Sequence, residues 1–223
     1  MLGPHNVTLQ WKADSLASNK DVFPQGCVIL VADILSDASG WGWSDDRTKY
    51  NQAKDKVLRG ETNGERPLLQ SRLRAALESF HRVAPEVDMT RLCALGWCLG
   101  GHSVLELGRM HNPGIRAMVT FHGVFDGVPP PEETVENDNN AVTKILVCHG
   151  DLDPFVDKAT NLKYAAETLE RHGNNVRVLN LEGAKHGFSN PAQDYNPSDA
   201  FAYNDAAAKL AWSEALFLLK RTI

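Results

Sequence analysis

The sequence lacks the long apolar stretches that membrane proteins need. No window approaches the roughly 18 consecutive apolar residues that span a bilayer. The first six residues show neither the basic nor the apolar region of a secretory signal. Only four of the 223 residues are cysteine, too few for a disulfide framework in a chain of this size. We therefore expect a soluble, cytoplasmic protein with reduced cysteines and no membrane contact.

Excess basic charge is also absent. The chain has 23 lysine and arginine residues against 28 aspartate and glutamate residues, which gives a formal net charge of −5. Surfaces that bind nucleic acid carry clustered positive charge, so nucleic acid is not an expected partner. The histidines, cysteines and carboxylates nowhere show the spacing of a metal site. The sequence therefore predicts neither a metal nor another cofactor.

The length is sufficient for one domain with a buried core. Two polar stretches, residues 36–67 and 127–140, interrupt the chain, and apolar runs lie close on each side of both. Long polar segments between buried elements are typical of loops or lids rather than of linkers. We therefore expect a single domain over residues 1–223, with these two stretches as long loops or a lid.

Apolar runs alternate with amphipathic segments along the chain. Five runs have the composition of buried strands: 28–32, 92–96, 117–121, 145–148 and 176–181. Helical spacing of apolar residues occurs at 69–80, 103–110, 162–169 and 204–220. Strands that alternate with helices form a parallel sheet covered on both faces. The predicted fold class is therefore α/β.

The segment with the clearest chemistry joins the run at 92–96 to the helix after it. Residues 96–101 read GWCLGG, a glycine–x–nucleophile–x–glycine turn with Cys98 as the nucleophile. Such a turn places the sulfur at a helix N-terminus, where the helix dipole stabilises the thiolate. The N–H of Leu99 then points to where an oxyanion would develop. The alternative is a small buried apolar side chain, which is the role that we expect for the other three cysteines, Cys27, Cys93 and Cys148.

A thiol nucleophile needs a base and a group that orients the base. After a nucleophile turn of this kind, the acid and then the histidine follow, each at the carboxyl end of a later strand. The run at 145–148 leads to Asp151 and Asp153, and the run at 176–181 leads to His186. We expect His186 to be the base and Asp153 the acid, with Asp151 as the rival in the same loop.

Four further side chains are candidates for the substrate pocket: Trp97, His122, Phe155 and Phe188. The three aromatic residues could equally belong to the hydrophobic core. His122 follows a predicted strand, and a structural role for it is at least as well supported.

These segments together resemble the dienelactone hydrolase family of α/β-hydrolases. The matching stretches are GCVILVAD at 26–33, GWCLGG at 96–101, FHG at 121–123, the Asp153 loop at 150–156 and GAKHGF at 183–188. The resemblance runs from about residue 13 to the C-terminus. It implies an α/β-hydrolase fold with a doubly wound, mostly parallel sheet, a Cys98–His186–Asp153 triad, and a small ester or lactone as substrate.

The chain departs from this family in two respects. Founding members hold a substrate carboxylate with two arginines, whereas the approximate counterparts here are Asp37 and Asn190. A neutral ester or lactone is therefore the expected substrate. The family also has a further strand–helix unit of about 30 residues before residue 26, and a loop there supplies the second oxyanion donor. Either residues 7–11 fill the missing strand position, or the strands at 28–32 and 92–96 meet directly.

Two functions from different classes follow from these observations. The leading hypothesis is a thiol hydrolase that cleaves a small ester or lactone through a thioester acyl-enzyme. The alternative is a catalytically weak or inactive binding protein on the same scaffold, because the N-terminal unit is missing. A redox thiol is a third, weaker interpretation, since no cysteine pair has the C-x-x-C spacing.

Overall fold

A parallel sheet forms the centre of the C-terminal part of the chain. The structure is a computed structural model that describes residues 6–35, 47–59, 66–110, 114–124, 143–156, 175–195 and 198–223. Contacts divide the chain into two units, residues 1–89 and 90–223. The predicted single domain over 1–223 remains a prediction. The predicted helix at 162–169 and the predicted loop at 127–140 lie outside the described residues.

The sheet contains four strands in chain order, and all neighbours run parallel. They are β1 (Leu92–Trp97), β2 (Ile115–Phe121), β3 (Lys144–Gly150) and β4 (Val176–Leu181). The register places Trp97 beside Phe121, and Phe121 beside Cys148. Four of the five predicted strands are therefore present. Since parallel strands end at the same edge of a sheet, the loops after β1, β3 and β4 meet at one edge.

Helices cover both faces of this sheet. The C-terminal helix α5 (Asp205–Thr222) packs its alanines against Val119, Phe121, Leu146 and Cys148, with Leu95 and Trp97 on the same side. Gly96 points the other way, because side chains alternate along a strand. On that side it meets α4 (Gly100–Arg109) at Val104. The predicted α/β layering is confirmed.

The N-terminal unit is built from three helices: α1 (Val7–Ala17), α2 (Arg47–Leu58) and α3 (Pro67–Val83). α2 contacts α3, and Val57, Leu69 and Leu73 are buried. The Arg72 Nη1 atom donates to the Ile34 carbonyl at 2.6 Å, which ties the segment before α2 to α3. Helix α3 matches its prediction. The segment 36–67 was expected to be a loop, but α2 lies within it because residues 47–58 lack proline and glycine.

The predicted strand at 28–32 is wrong. These residues form no strand in the structure, and Val28 and Leu30 are 46% and 41% exposed. An apolar run becomes a strand only when a neighbouring strand pairs with its N–H and C=O groups. Among the described residues no strand takes that position, so the run stays irregular.

Residues 7–11 do not form a strand either. They begin helix α1, where the Asn6 side chain accepts a hydrogen bond from the Thr8 N–H at 3.0 Å and caps the helix. Asparagine is among the strongest N-cap residues, so this local signal favours a helix. Neither of the two expected ways of filling the strand position is therefore present. Within the described ranges, no helix is long and apolar enough to cross a membrane.

Candidate active site

Cys98 occupies the turn between β1 and α4 in a strained backbone conformation. Its φ is +53°, in the left-handed region that a residue with a side chain rarely adopts. The turn is tight, because a Cβ at Gly96 would collide with the carbonyl group of Gly100 and with Val104. Gly96 is therefore required by the close approach. Gly100 is not, since a Cβ there would meet no atom within 4 Å.

The sulfur of Cys98 lies at the N-terminus of α4 and contacts a histidine. The Cys98 Sγ is 3.2 Å from the Nε2 atom of His186. Burial opposes ionisation of the thiol, but the hydrogen bond and charge of His186 and the N–H of Leu99 outweigh it and lower the pKa of Cys98. The helix dipole acts in the same direction. These groups favour the thiolate.

His186 is held from its other ring nitrogen by Asp153. The Nδ1 atom of His186 and the Oδ2 atom of Asp153 are 2.7 Å apart, with side chains 3% and 0% exposed. Burial alone would lower the pKa of His186, but the hydrogen bonds to Asp153 and Cys98 raise it to about 9. The pair Cys98–His186 therefore favours a thiolate beside an imidazolium.

The loops after β3 and β4 position this pair. A Cβ at Gly150 would collide with the Ala184 carbonyl, so the last residue of β3 lies directly against the loop that carries His186. Gly183 and Gly187 on either side of the histidine have φ of +69° and +73°. Glycine adopts these values without a steric penalty, which allows the chain to turn on both sides of His186.

The rival acid does not reach the histidine. Asp151 is exposed, and its backbone N–H donates to the Leu181 carbonyl at 3.2 Å. Asp153 instead has one carboxylate oxygen on His186 and the other on the Phe155 N–H at 2.9 Å. The structure therefore brings Cys98, His186 and Asp153 together and leaves Asp151 outside.

The four predicted pocket residues divide into two pairs. His122 lies against His186, with ring centroids 5.0 Å apart, and Phe155 does so at 4.9 Å. Phe188 is fully buried in the core. Trp97 packs against the same core and stacks on the Phe121 ring. Trp97 and Phe188 were candidates for the pocket, with the hydrophobic core as the alternative. Both pack among apolar side chains of the core.

Sequence reasoning missed two residues of the site, one that contacts His122 and one that contacts His186. Ser189 places its hydroxyl 2.9 Å from the Nε2 atom of His122. The ring of Phe201 lies 5.2 Å from the His186 ring, and its backbone forms a parallel bridge with His186. The GAKHGF stretch at 183–188 ends one residue before Ser189, which was the available signal. No sequence signal indicated Phe201, because its bridge to His186 depends on the path of the chain after the 3₁₀ helix Pro191–Tyr195.

The other cysteines have surroundings of a different kind. Burial raises the pKa of the Cys148 thiol to about 12, and burial also raises the pKa of Cys27. Cys148 lies inside the hydrophobic core. Over the described residues, no three histidine, cysteine or acidic side chains cluster in a way that could hold a metal ion. What the site offers chemically is a polarised thiol, a base beside it and a carboxylate behind the base.

Comparison with known proteins assigns the chain to a family. The family model for the dienelactone hydrolase family matches residues 14–223. An uncharacterized Caenorhabditis elegans protein, K02A2.1, is 33% identical over 152 residues, which cover 68% of this chain and 92% of that protein.

Solved structures that are similar to the chain include m3DLH and P91. The protein called m3DLH is 27% identical, with a TM-score of 0.76, covering 98% of this chain and 82% of its own. P91, a dienelactone hydrolase-like promiscuous phosphotriesterase from metagenomic libraries, is 29% identical, with a TM-score of 0.65, covering 85% of this chain and 72% of its own. The chain has an α/β-hydrolase fold, belongs to the dienelactone hydrolase family and is a hydrolase of the carboxylic ester kind.

Proposed function

We propose that the protein cleaves a small neutral ester or lactone with Cys98 as nucleophile, His186 as acid and base, and Asp153 as the group that orients His186. The observation that carries this proposal is the continuous hydrogen-bonded chain from Cys98 Sγ through both ring nitrogens of His186 to Asp153. A nucleophile, a base and an orienting group in that order are the requirements of acyl transfer through a covalent intermediate.

Acylation begins from the thiolate. The Cys98 sulfur forms a bond to the carbonyl carbon, and the carbonyl oxygen gains negative charge toward the Leu99 N–H. When the intermediate collapses, the bond from carbon to the alcohol oxygen breaks and the Nε2 proton of His186 passes to that oxygen. The products of this step are a thioester on Cys98 and a free alcohol, or the hydroxyl end of an opened lactone.

Deacylation uses the same histidine as a base. Neutral His186 takes a proton from water, the water oxygen bonds to the acyl carbon, and the bond from carbon to sulfur breaks. The acid leaves and the thiolate–imidazolium pair is restored. Asp153 keeps the Nδ1 proton in place in both steps, because its oxygen is the partner of that nitrogen. Thiolate is a good leaving group, so we expect esters to be cleaved and amides to be poor substrates.

The preference for a neutral substrate rests on Asn190. The resemblance makes Asn190 the approximate counterpart of one of the two arginines that hold a substrate carboxylate in founding family members. Its N–H donates to the Gly187 carbonyl at 2.9 Å and its side-chain oxygen accepts from the Ala192 N–H at 3.1 Å. Asn190 therefore caps the short helix Pro191–Tyr195 and offers no positive charge to a substrate carboxylate. The second counterpart, Asp37, lies outside the described residues.

The test is hydrolysis of 4-nitrophenyl acetate by the wild type and by Cys98→Ala, with acid quenching and peptide mass spectrometry. We expect turnover only in the wild type, and an acetyl group on the peptide that contains Cys98. Equal rates in both proteins, or none in either, would contradict the proposal and favour a binding protein. Reversible oxidation of Cys98 by peroxide without any ester turnover would favour a redox thiol.

A further inference from the structure

Two phenylalanine rings lie against the imidazole of His186. Ring centroids are 4.9 Å apart for His186 and Phe155, and 5.2 Å apart for His186 and Phe201, both edge to face. The two phenyl rings are 5.2 Å from each other. Phe155 and Phe201 are called the phenyl pair below. Each of the three rings, the two phenyl rings and the imidazole, therefore contacts the other two.

The phenyl pair is tied to residues of the proposed triad. The Phe155 N–H donates to the Oδ1 atom of Asp153 at 2.9 Å. Phe201 forms a backbone bridge with His186, and the next N–H, that of Ala202, donates to the His186 carbonyl at 3.4 Å. These contacts fix the backbone of both residues, which lowers the ordering cost that a ligand would otherwise meet when it binds against the rings.

The phenyl pair is accessible, whereas the imidazole of His186 is not. Phe155 is 41% exposed and Phe201 is partly exposed, but His186 is only 2% exposed. Leu152, in the same loop as Phe155, is 55% exposed. Phe188 provides the contrast, since it follows the same histidine and is fully buried in the core. Exposed apolar rings beside reactive atoms are typical of a binding wall rather than of a core.

The direction of proton transfer indicates which part of an ester, acyl or alcohol, contacts the phenyl pair. The carbonyl oxygen lies toward the Leu99 N–H, on the α4 side of the sulfur. The Nε2 atom of His186 must reach the alcohol oxygen to protonate it as the bond to carbon breaks. The alcohol portion is therefore the part next to His186, and the rings that lie against His186 are those of Phe155, Phe201 and His122. Phe155 and Phe201 are the exposed and partly exposed members of this set, whereas His122 is 5% exposed.

We propose that the phenyl pair binds the alcohol portion of the substrate, and that the protein prefers esters whose alcohol is a phenol or another bulky apolar alcohol. This proposal rests on the proposed Cys98 mechanism. The bonds that form and break are those of the acylation step above: the aryl oxygen leaves with the Nε2 proton and the acyl group stays on sulfur. Apolar area that leaves water against the two rings lowers the transition-state energy.

The experiment compares kcat/KM for three esters in the wild type and in Phe201→Ala and Phe155→Ala. Phenyl acetate and 2-naphthyl acetate share the acyl group and differ by one ring in the alcohol. Phenyl acetate and phenyl butyrate share the alcohol and differ in the acyl group. We expect the wild type to prefer 2-naphthyl over phenyl acetate by about tenfold, and each substitution to bring that ratio close to one. The butyrate-to-acetate ratio should not change.

Two controls separate this effect from damage to the fold. Phe217→Ala removes a phenyl ring of similar exposure, 56%, from α5, and it should retain the wild-type ratio. Phe201→Leu keeps an apolar side chain and should have an intermediate ratio. The rate of Cys98 alkylation by iodoacetamide, measured on every variant, reports whether the thiolate–imidazolium pair is intact.

The outcomes distinguish the two proposals. Cys98-dependent turnover with no preference for the naphthyl ester, or with a preference that survives both alanine substitutions, overturns the alcohol-side proposal and leaves the mechanism in place. A butyrate-to-acetate ratio that changes while the naphthyl ratio does not would place the phenyl pair against the acyl group and also overturn it. Absence of Cys98-dependent turnover for all three esters overturns both.

Discussion

Two cysteines at nearly the same level of the sheet have opposite chemistry. In the register of the sheet, Trp97 of β1 pairs with Phe121 of β2, and Phe121 pairs with Cys148 of β3. Cys98 is the residue after Trp97. The pKa of Cys98 is lowered, with His186 and the Leu99 N–H outweighing burial, whereas burial raises the pKa of Cys148 to about 12. The same side chain is a candidate nucleophile in one place and an inert core residue in the other.

The difference comes from the backbone at the end of β1. Cys148 lies inside β3, so its side chain points into the layer between the sheet and α5. Cys98 has left its strand and adopts a φ of +53°, which directs the sulfur to the edge where the loops after β3 and β4 arrive. Strained conformations are kept only where the surroundings enforce them. Cys98 therefore differs from Cys148 because it lies one residue beyond the end of its strand.

The largest expected contrast is in catalysis. Cys98→Ala should lower kcat/KM for 4-nitrophenyl acetate by about 10⁴-fold, because removal of a nucleophile abolishes the covalent path. Cys148→Ala should change kcat/KM by less than about threefold and reduce stability by about 1–2 kcal/mol, since it only removes a buried sulfur. Steady-state kinetics and urea unfolding measure the two effects. Comparable losses of activity in both variants would contradict the assignment of Cys98 as nucleophile and Cys148 as an inert core residue.

The next contrast concerns the two aspartates of the loop after β3. Asp153→Asn should lower kcat/KM by about 10³-fold, because an amide can hold His186 in the wrong tautomer and does not stabilise its cation. Asp151→Asn serves as the matched control and should leave kcat/KM within about twofold, since Asp151 is exposed and its carboxylate does not bond His186. A larger loss in Asp151→Asn than in Asp153→Asn would show that the wrong acid has been identified.

The two glycines that flank Cys98 should differ in their effect on stability. Gly96→Ala places a methyl group against the backbone carbonyl of Gly100, so we expect a loss of about 2–4 kcal/mol in the free energy of unfolding. Gly100→Ala meets open space at the start of α4 and should change stability by less than about 1 kcal/mol, toward greater stability. Urea unfolding midpoints test this pair. A similar cost at both positions would mean that Gly96 does not make the close contact described above.

The smallest expected effect is on alkylation of the two thiols as a function of pH. Cys98 should react with iodoacetamide at least about tenfold faster than an ordinary thiol at pH 7, because its lowered pKa retains the thiolate as pH falls. Cys148 should react only after unfolding. His186→Ala should move the Cys98 midpoint upward, since it removes the charge and hydrogen bond that favour the thiolate. A midpoint unchanged by His186→Ala would argue against a coupled pair.

The same charges set an upper pH limit for turnover. The raised pKa of His186, about 9, means that the imidazolium persists below that pH and loses its proton above it. The proton that the leaving oxygen needs is therefore lost as pH rises, and kcat/KM should fall through about pH 9. A profile that stays flat from pH 8 to about pH 10 would contradict the assigned role of His186.

Sequence patterns predicted the sheet better than they predicted the N-terminal unit. The runs at 28–32 and 92–96 look alike, yet only the second is a strand. The second has β2 beside it, and its register continues to Trp97 and Phe121. The first has no partner strand among the described residues. Composition indicates that a segment can be a strand, but pairing is a tertiary event and cannot be read from the segment itself.

The candidate site follows the same rule. Cys98, His186 and the choice of Asp153 over Asp151 came from a short turn motif, chain order and a family resemblance, all of which are local or linear. The core positions of Trp97 and Phe188 could not be predicted in this way, because the sequence does not distinguish an aromatic residue beside a reactive group from one packed beneath it. Ser189 and Phe201 are brought to His122 and His186 by loops that return from other elements.

Sequence patterns were sufficient for the parallel α/β class, for the strands from residue 92 onward, and for the identity and order of the three residues proposed to do the chemistry. These depend on periodicity and on the tight turn at Cys98, which are encoded over a few neighbouring residues. Tertiary packing was needed to show that the run at 28–32 forms no strand, that Trp97 and Phe188 belong to the core, and which aromatic rings lie against His186. Those outcomes depend on strand pairing and on packing between segments far apart in the chain. A short stretch of sequence does not encode such contacts.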